Sequence, residues 1–394
     1  MRPLFHVVRA WLLVVTLVAC APVESQPVAS QPVVTGPGPI EVVSPESPDR
    51  EVRRKAGCEV NNGGCHVDAA CTVATGQIAC TCKPGFTGDG RTCTVIPAPE
   101  TSVFFTTPTI RGVAPGSVQR QPGVTVVAPA SDPTGLAVDA AGNIYFGEVT
   151  SAPVRVSLKK RSPDGAVADL GVVVDTSPGT VSATWTFDVA TSAAGDVYYT
   201  TPAIMSQSGA ILQPGSVTKL GAGVVVDVVD NPAGLAVDAA GNLYFGSMAT
   251  GPVRVTLMRR GVDGGVSSLG TVVDSSAGYI SASWTFDIAT TRSGDVLFTT
   301  PIVASASGGG VVRPGSIQKL GAGAIVENVD GAVGLAVDPD GNVYFGSLTV
   351  APLRVSLRKW IAADGSVADL GTVVDTSSGA VRLGWGFDLA VAAR

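Results

Sequence analysis

The stretch PTGLAVDAAGNIYFGEV at 133–149 recurs as PAGLAVDAAGNLYFGSM at 232–248 and as AVGLAVDPDGNVYFGSL at 332–348. A repeat of this kind constrains the architecture more than composition does, because each unit must bury its hydrophobic face against a copy of itself. A diverged sister lies between the copies, as TWTFDVATSAAGDVYYTTP at 184–202 and SWTFDIATTRSGDVLFTTP at 283–301. The Gly-Asx pairs beginning at Gly142, Gly195, Gly241, Gly294 and Gly341 are spaced by 53, 46, 53 and 47 residues. The unit is therefore about 50 residues, and two unlike units make a module of about 100.

Within a unit, GLAVD reads as a strand with alternating apolar residues, AGN as a hairpin turn and IYFGE as the second strand. PVRVSLKKR supplies a third strand and DLGVVVD, at 169–175, a fourth. Four strands per unit at this period predict an all-β fold of the β-propeller type over 101–394. The GLAVDxxGNxYF strings resemble NHL-repeat propellers and the related gluconolactonase-type propellers. The C-terminal GWGFDLAVAAR at 384–394 matches TWTFDVATSAA and stops one residue before the Gly-Asx turn. TSVFFTTP at 101–108 matches GDVYYTTP at 195–202, the stretch that begins at that turn. The expectation is that the C-terminal tail supplies the innermost strand of a sheet begun near residue 102. That closes a six-bladed ring of three two-blade modules and removes two hydrophobic edges.

Cysteine usage divides the chain. Cys20 stands alone, six more lie at 58, 65, 71, 80, 82 and 93, and none follows. Six cysteines in so short a segment indicate an oxidising compartment, and spacing alone permits fifteen pairings. The NNGGC string, the CxC step and the GFTGDG turn resemble an EGF-like domain over 56–94. The resemblance implies the pairs Cys58–Cys71, Cys65–Cys80 and Cys82–Cys93. The alternative, a zinc cluster, is poorly suited to thiols in an exported chain. Calcium-binding members of that family carry acidic residues just ahead of the first cysteine. Arg54-Lys55-Ala56-Gly57 stands there instead, so no calcium site is expected.

Residues 1–20, MRPLFHVVRAWLLVVTLVAC, place Arg2 and Arg9 ahead of an apolar run too short to span a bilayer, the pattern of a signal peptide. The ending Leu17-Val18-Ala19-Cys20 resembles the lipobox of bacterial lipoproteins, which implies a lipidated Cys20 as mature N-terminus. The alternative is an ordinary signal peptide that contains a cysteine. Ala21 in place of Asp implies, by the same resemblance, the outer membrane of the cell envelope, with the membrane as partner through the anchor. Prolines at 22, 27, 32, 37, 39, 45 and 48 make 21–55 an extended tether without periodicity.

A net charge of −6 with no dense Lys/Arg face argues against a nucleic-acid partner. The two histidines, His6 and His66, both precede the repeats, so the ring holds no imidazole for general base or nucleophile chemistry. Asp139, Asp238 and Asp338 precede the hairpin turn and read as acceptors for its N–H groups. Arg155, Arg254 and Arg354 fall in corresponding third strands as outward charges. Glu148 departs from the repeat, its counterparts being Ser247 and Ser347. The candidate ligand-binding set is Trp185, Trp284 and Trp385 with Asp188, Asp287 and Asp388 three residues on. These are expected to ring one mouth of the channel. The alternative is that the indoles fill space between blades. No catalytic residue, cofactor or metal is assigned. The expected function is glycan or protein recognition by an envelope-anchored binding or adhesion protein. The alternative implied by the second resemblance is a metal-dependent gluconolactonase-like hydrolase, whose channel metal is held by unlike acidic and amide ligands.

Overall fold

The computed structural model describes residues 57–95 apart from 75, 84 and 85, and residues 101–393 apart from 152, 182–184, 281–283, 307–309 and 382–384. The leader, Cys20 and the tether lie outside them. The chain divides into two compact units, Met1–Thr94 and Val95–Arg394.

The described part of the first unit is built on three disulfides, Cys58–Cys71, Cys65–Cys80 and Cys82–Cys93, the pairing that the EGF resemblance implies. Strands Ala69–Ala74 and Gln77–Cys82 form one hairpin, with Cys71 directly opposite Cys80, and Phe86–Gly88 pairs with Cys93–Val95. Its interior is small: Cys65, Ala69 and Cys93 are buried, with Ile78, Phe86 and the other cystines against them. A core of this size makes the cross-links the main restraint on the unfolded chain.

The second unit is all-β, with a propeller-like arrangement of six four-stranded antiparallel sheets. The first sheet comprises Pro133–Val138, Ile144–Ser151, Val154–Arg161 and Val167–Asp175. The third, Pro232–Val237 to Val266–Asp274, and the fifth, Ala332–Val337 to Val367–Asp375, repeat it strand for strand. The second sheet runs from Val189–Thr191 to Gly223–Val229 and the fourth from Ile288–Thr290 to Gly323–Glu327. The sixth joins the two ends of the unit: Leu389–Ala393 pairs with Thr101–Thr107, which continues to Gly116–Arg120 and Val124–Ala130. The first strand of each sheet touches those of the sheets before and after it, and Leu389–Ala393 touches Pro133–Val138.

Six hydrophobic clusters fill the spaces between successive sheets, and they alternate in kind. Those inside a module are centred on Phe187, Phe286 and Phe387, each 1–2% exposed. Gly147 shows why the repeat keeps a glycine in the middle of its second strand. A Cβ there would lie 2.8 Å from the Phe187 ring, too close for any side chain.

The structure also contains elements that the repeat pattern does not suggest. Thr180–Val181, Ile204–Met205 and Ile211–Gln213 form a small sheet beside the second, and Gly278–Ile280, Val303–Ser305 and Val311–Arg313 form its copy beside the fourth. Strands of two or three residues are too short to show an alternation.

Candidate functional site

The segment ahead of the first strand of each even-numbered sheet carries Trp-Thr-Phe-Asp, or Trp-Gly-Phe-Asp in the last copy. Residues two apart face the same way in extended chain and residues three apart do not. Trp185 therefore meets Phe187 edge-on, with ring centroids 6.4 Å apart and planes at 73°. Trp284–Phe286 and Trp385–Phe387 repeat this at 6.0 and 6.3 Å. All three indoles are half-buried and pack against the clusters inside each module. Each indole N–H is buried without a hydrogen-bond partner among the described residues.

The aspartates turn the other way. Asp188, Asp287 and Asp388 converge so that one carboxylate oxygen from each lies within 4.8 Å of the others. Asp188 and Asp287 are each only 6% exposed. They line a cavity of about 50 Å³, with Leu136, Leu235, Leu335, Val189, Ile288 and Leu389 as the remaining walls. Among the described residues the structure thus brings the three aspartates together, and the indoles are not part of that lining.

One oxygen of each carboxylate is already engaged. Asp188 Oδ2 accepts from the Gly234 N–H at 2.9 Å, Asp287 Oδ2 from Gly334 at 2.9 Å and Asp388 Oδ2 from Gly135 at 2.7 Å. Thr186 and Thr285 hydroxyls donate to the first two, whereas Gly386 occupies that place in the last copy. Every aspartate therefore ties the second sheet of one two-sheet module to the opening strand of the next. With no basic side chain in the lining, burial raises all three acids. Asp287 is pushed up to about 6. Asp188 and Asp388 go well above the usual carboxylate range, driven first by burial and then by the neighbouring carboxylate charge.

Carboxylate oxygens at this spacing suit either a shared proton or a hard cation. The ligand set of a gluconolactonase-type channel does not fit, because the lining holds three like aspartates and no amide. A space of about 50 Å³ has room for a few waters but not for a sugar lactone.

The other repeated polar residues have local partners. Asp139 accepts from the N–H groups of Ala141 and Asn143, the Asn143 amide and the Tyr145 hydroxyl. Asp238 and Asp338 do the same in their hairpins. Arg155, Arg254 and Arg354 pair across strands with Asp175, Asp274 and Asp375 at 2.9, 3.1 and 2.9 Å. Glu148 accepts from the Ser131 N–H and lies 3.5 Å from Lys159 Nζ.

Residues 58–93 match the EGF domain family. A search of curated proteins finds no match. Solved structures similar to the chain include the PQQ-bound aldose sugar dehydrogenase of Streptomyces coelicolor, at 13% identity and TM-score 0.44, covering 75% of this chain and all of that one. A candidate gluconolactonase aligns at 13% identity and TM-score 0.39, over 68% of this chain and 91% of its own. The β-propeller domain of the Trilobed protease from Pyrococcus furiosus aligns at 10% identity and TM-score 0.35, over 61% and 84%. Likenesses this distant carry no argument about the fold or the activity of this chain.

Proposed function

We propose that the protein is a bacterial cell-envelope lipoprotein, anchored through Cys20, that presents an EGF-like domain and a closed six-bladed propeller of the NHL-repeat kind for ligand binding rather than catalysis. The observation that carries the choice of binding over hydrolysis is the state of the axial site. Its three carboxylates are enclosed by six aliphatic side chains in about 50 Å³, and each already binds the backbone of the next module. Groups engaged in this way hold a ring together and leave no room for a substrate. The cyclic order of first-strand contacts and the pairing of 389–393 with 101–107 support the closed ring. Threefold repetition favours a multivalent or extended ligand, for which weak separate sites gain by effective concentration. The convergence of three carboxylates is what favours the other reading, a metal-dependent hydrolase. Lactone hydrolysis by the full-length protein, measured with and without a chelator, separates the two. No turnover is expected, and turnover that the chelator abolishes would overturn the binding reading.

A further inference from the structure

One departure from threefold repetition lies away from the axis, where the fourth and fifth sheets meet at their hairpin ends. A groove of about 480 Å³ opens there. Its floor is apolar, from Leu297, Ile325, Pro339 and the half-buried indole of Trp360. The rim carries both charge signs: Arg292 and Lys319 as cations, Asp295 and Asp340 as anions, with the hydroxyls of Thr291 and Ser293 between.

Comparison with the sister modules shows how the groove arises. Trp360 occupies the position held by Arg161 and Arg260. Arg260 reaches across the corresponding junction and donates from Nε to the Val225 carbonyl at 3.1 Å, filling the place that is open here. Ala362 replaces Pro163 and Val262, whose side chains lie 3.5 and 3.3 Å from where a Cβ would sit on the turn glycines Gly142 and Gly241. Arg292 and Asp340 stand where the sister turns carry Ala193 and Ala240. Among the described residues neither side chain has an ion pair or hydrogen bond, whereas Lys319 is paired to Asp295 at 2.9 Å. Substitutions at one of three related junctions have thus removed filling side chains, added an aromatic platform and placed two unpaired charges on the rim. Ring closure requires none of these changes, since the sister junctions form without them.

We propose that this groove binds the ring of an uncharged saccharide. The indole of Trp360 offers a flat apolar surface for a sugar's C–H face. The rim supplies what hydroxyls need at once, carboxylate acceptors at Asp340 and Asp295 and cationic donors at Arg292 and Lys319. Two cations and two anions leave the rim without net charge, which selects against an anionic or cationic ligand. The volume lies within the range of small-molecule sites. The proposal rests on the binding reading above and gives it a place and a ligand class.

The test uses purified full-length protein in a detergent without a sugar headgroup. It is titrated with glucose, galactose, mannose, N-acetylglucosamine, maltose and cellobiose and followed by saturation-transfer NMR and calorimetry. Trp360→Arg and Arg292→Ala restore residues that the sister positions already carry, so both variants are expected to fold. At least one sugar is expected to bind, with affinity falling at least about tenfold in Trp360→Arg and about threefold or more in Arg292→Ala. If Trp360→Arg unfolds, Arg292→Ala decides alone, because Arg292 is an exposed turn residue. Absence of binding to every sugar overturns the proposal, as does capture of free phenylalanine or leucine in their place. Sugar binding unchanged in both variants removes the groove as the site but leaves the propeller a binding protein, an outcome distinct from chelator-sensitive turnover.

Discussion

Asp388 Oδ2 accepts a hydrogen bond from the Gly135 N–H at 2.7 Å, joining residues 253 apart in sequence. The same bond links Asp188 to Gly234 and Asp287 to Gly334, but only this one connects the last strand of the unit to its first complete sheet. Thr106 adds to the join, its hydroxyl donating to the Gly386 carbonyl at 3.1 Å and accepting from the Asp388 N–H at 3.0 Å. The two ends of the chain's repeat region thus meet through the contacts that join its interior modules.

The C-terminal strand should accordingly be required by the whole second unit. Phe387 is 2% exposed and packs with Phe105, Val333 and Leu389. Phe387→Ala is expected to destabilise by about 3–5 kcal/mol, the usual cost of truncating a buried phenylalanine. Removal of 384–394 strips the strand facing 101–107 and should lower the thermal midpoint further and open the unit to protease. A truncated protein that melts and resists digestion like the intact one would show that the join does not stabilise the unit.

The indoles behave differently from the carboxylates beside them. Trp284 meets Phe286 at 6.0 Å and lies against the third and fourth sheets, so Trp284→Ala should destabilise by about 3 kcal/mol or more while Trp284→Phe recovers part of the loss. Differential scanning calorimetry checks this. A Trp284→Ala protein with an unchanged midpoint but impaired ligand capture would instead make the indole a recognition surface.

Much of this was legible in the sequence. The Gly-Asx spacing marked the units and the alternation in GLAVD and IYF marked strands, while spacing left fifteen cysteine pairings open and only the resemblance to the EGF-like family implied the observed disulfides. The offset of three between Trp185 and Asp188 already implied opposite faces in extended chain, which is why the expected common ring separated into interblade indoles and axial carboxylates. What periodicity could not show was the groove. Its signal lies in departures from the repeat at Arg292, Asp340, Trp360 and Ala362, and these gain meaning only once the fourth and fifth sheets are seen side by side.

The proposed lipid anchor makes a separate prediction. LVAC at 17–20 follows an apolar run, and on the proposed lipoprotein reading the mature chain is expected to begin at an acylated Cys20 and to partition into the detergent phase. Cys20→Ala should move the protein to the aqueous phase, read by phase partitioning and by mass spectrometry of the N-terminal peptide. Membrane association that persists in Cys20→Ala would mean that another segment holds the protein there.

The axial carboxylates predict how stability depends on pH. Asp287 titrates at about 6 in the folded protein, against about 3.9 for an unperturbed aspartate. Between those values the folded state binds a proton that the unfolded state has released, so the stability this group contributes is fully present below about pH 4 and is lost as pH rises through about 6. Asp188 and Asp388, raised well above the usual range first by burial and then by neighbouring carboxylate charge, act in the same direction. The exposed aspartates act oppositely: Asp175, Asp274 and Asp375 are held low chiefly by hydrogen bonds from Ser177, Ser276 and Ser377, and their contribution is lost as pH falls below about 4. Thermal stability is therefore expected to peak on the acid side of neutrality, between the two regimes. Asp287→Asn keeps an oxygen for the Gly334 N–H but removes one buried charge, so it should raise the midpoint at pH 8 and flatten its fall between pH 5 and 8. Melting curves of both proteins at matched ionic strength, with chelator present, read this directly. A wild-type midpoint constant from pH 5 to 8, or a pH 8 midpoint lowered by the substitution, would mean that burial does not raise these acids in the folded protein.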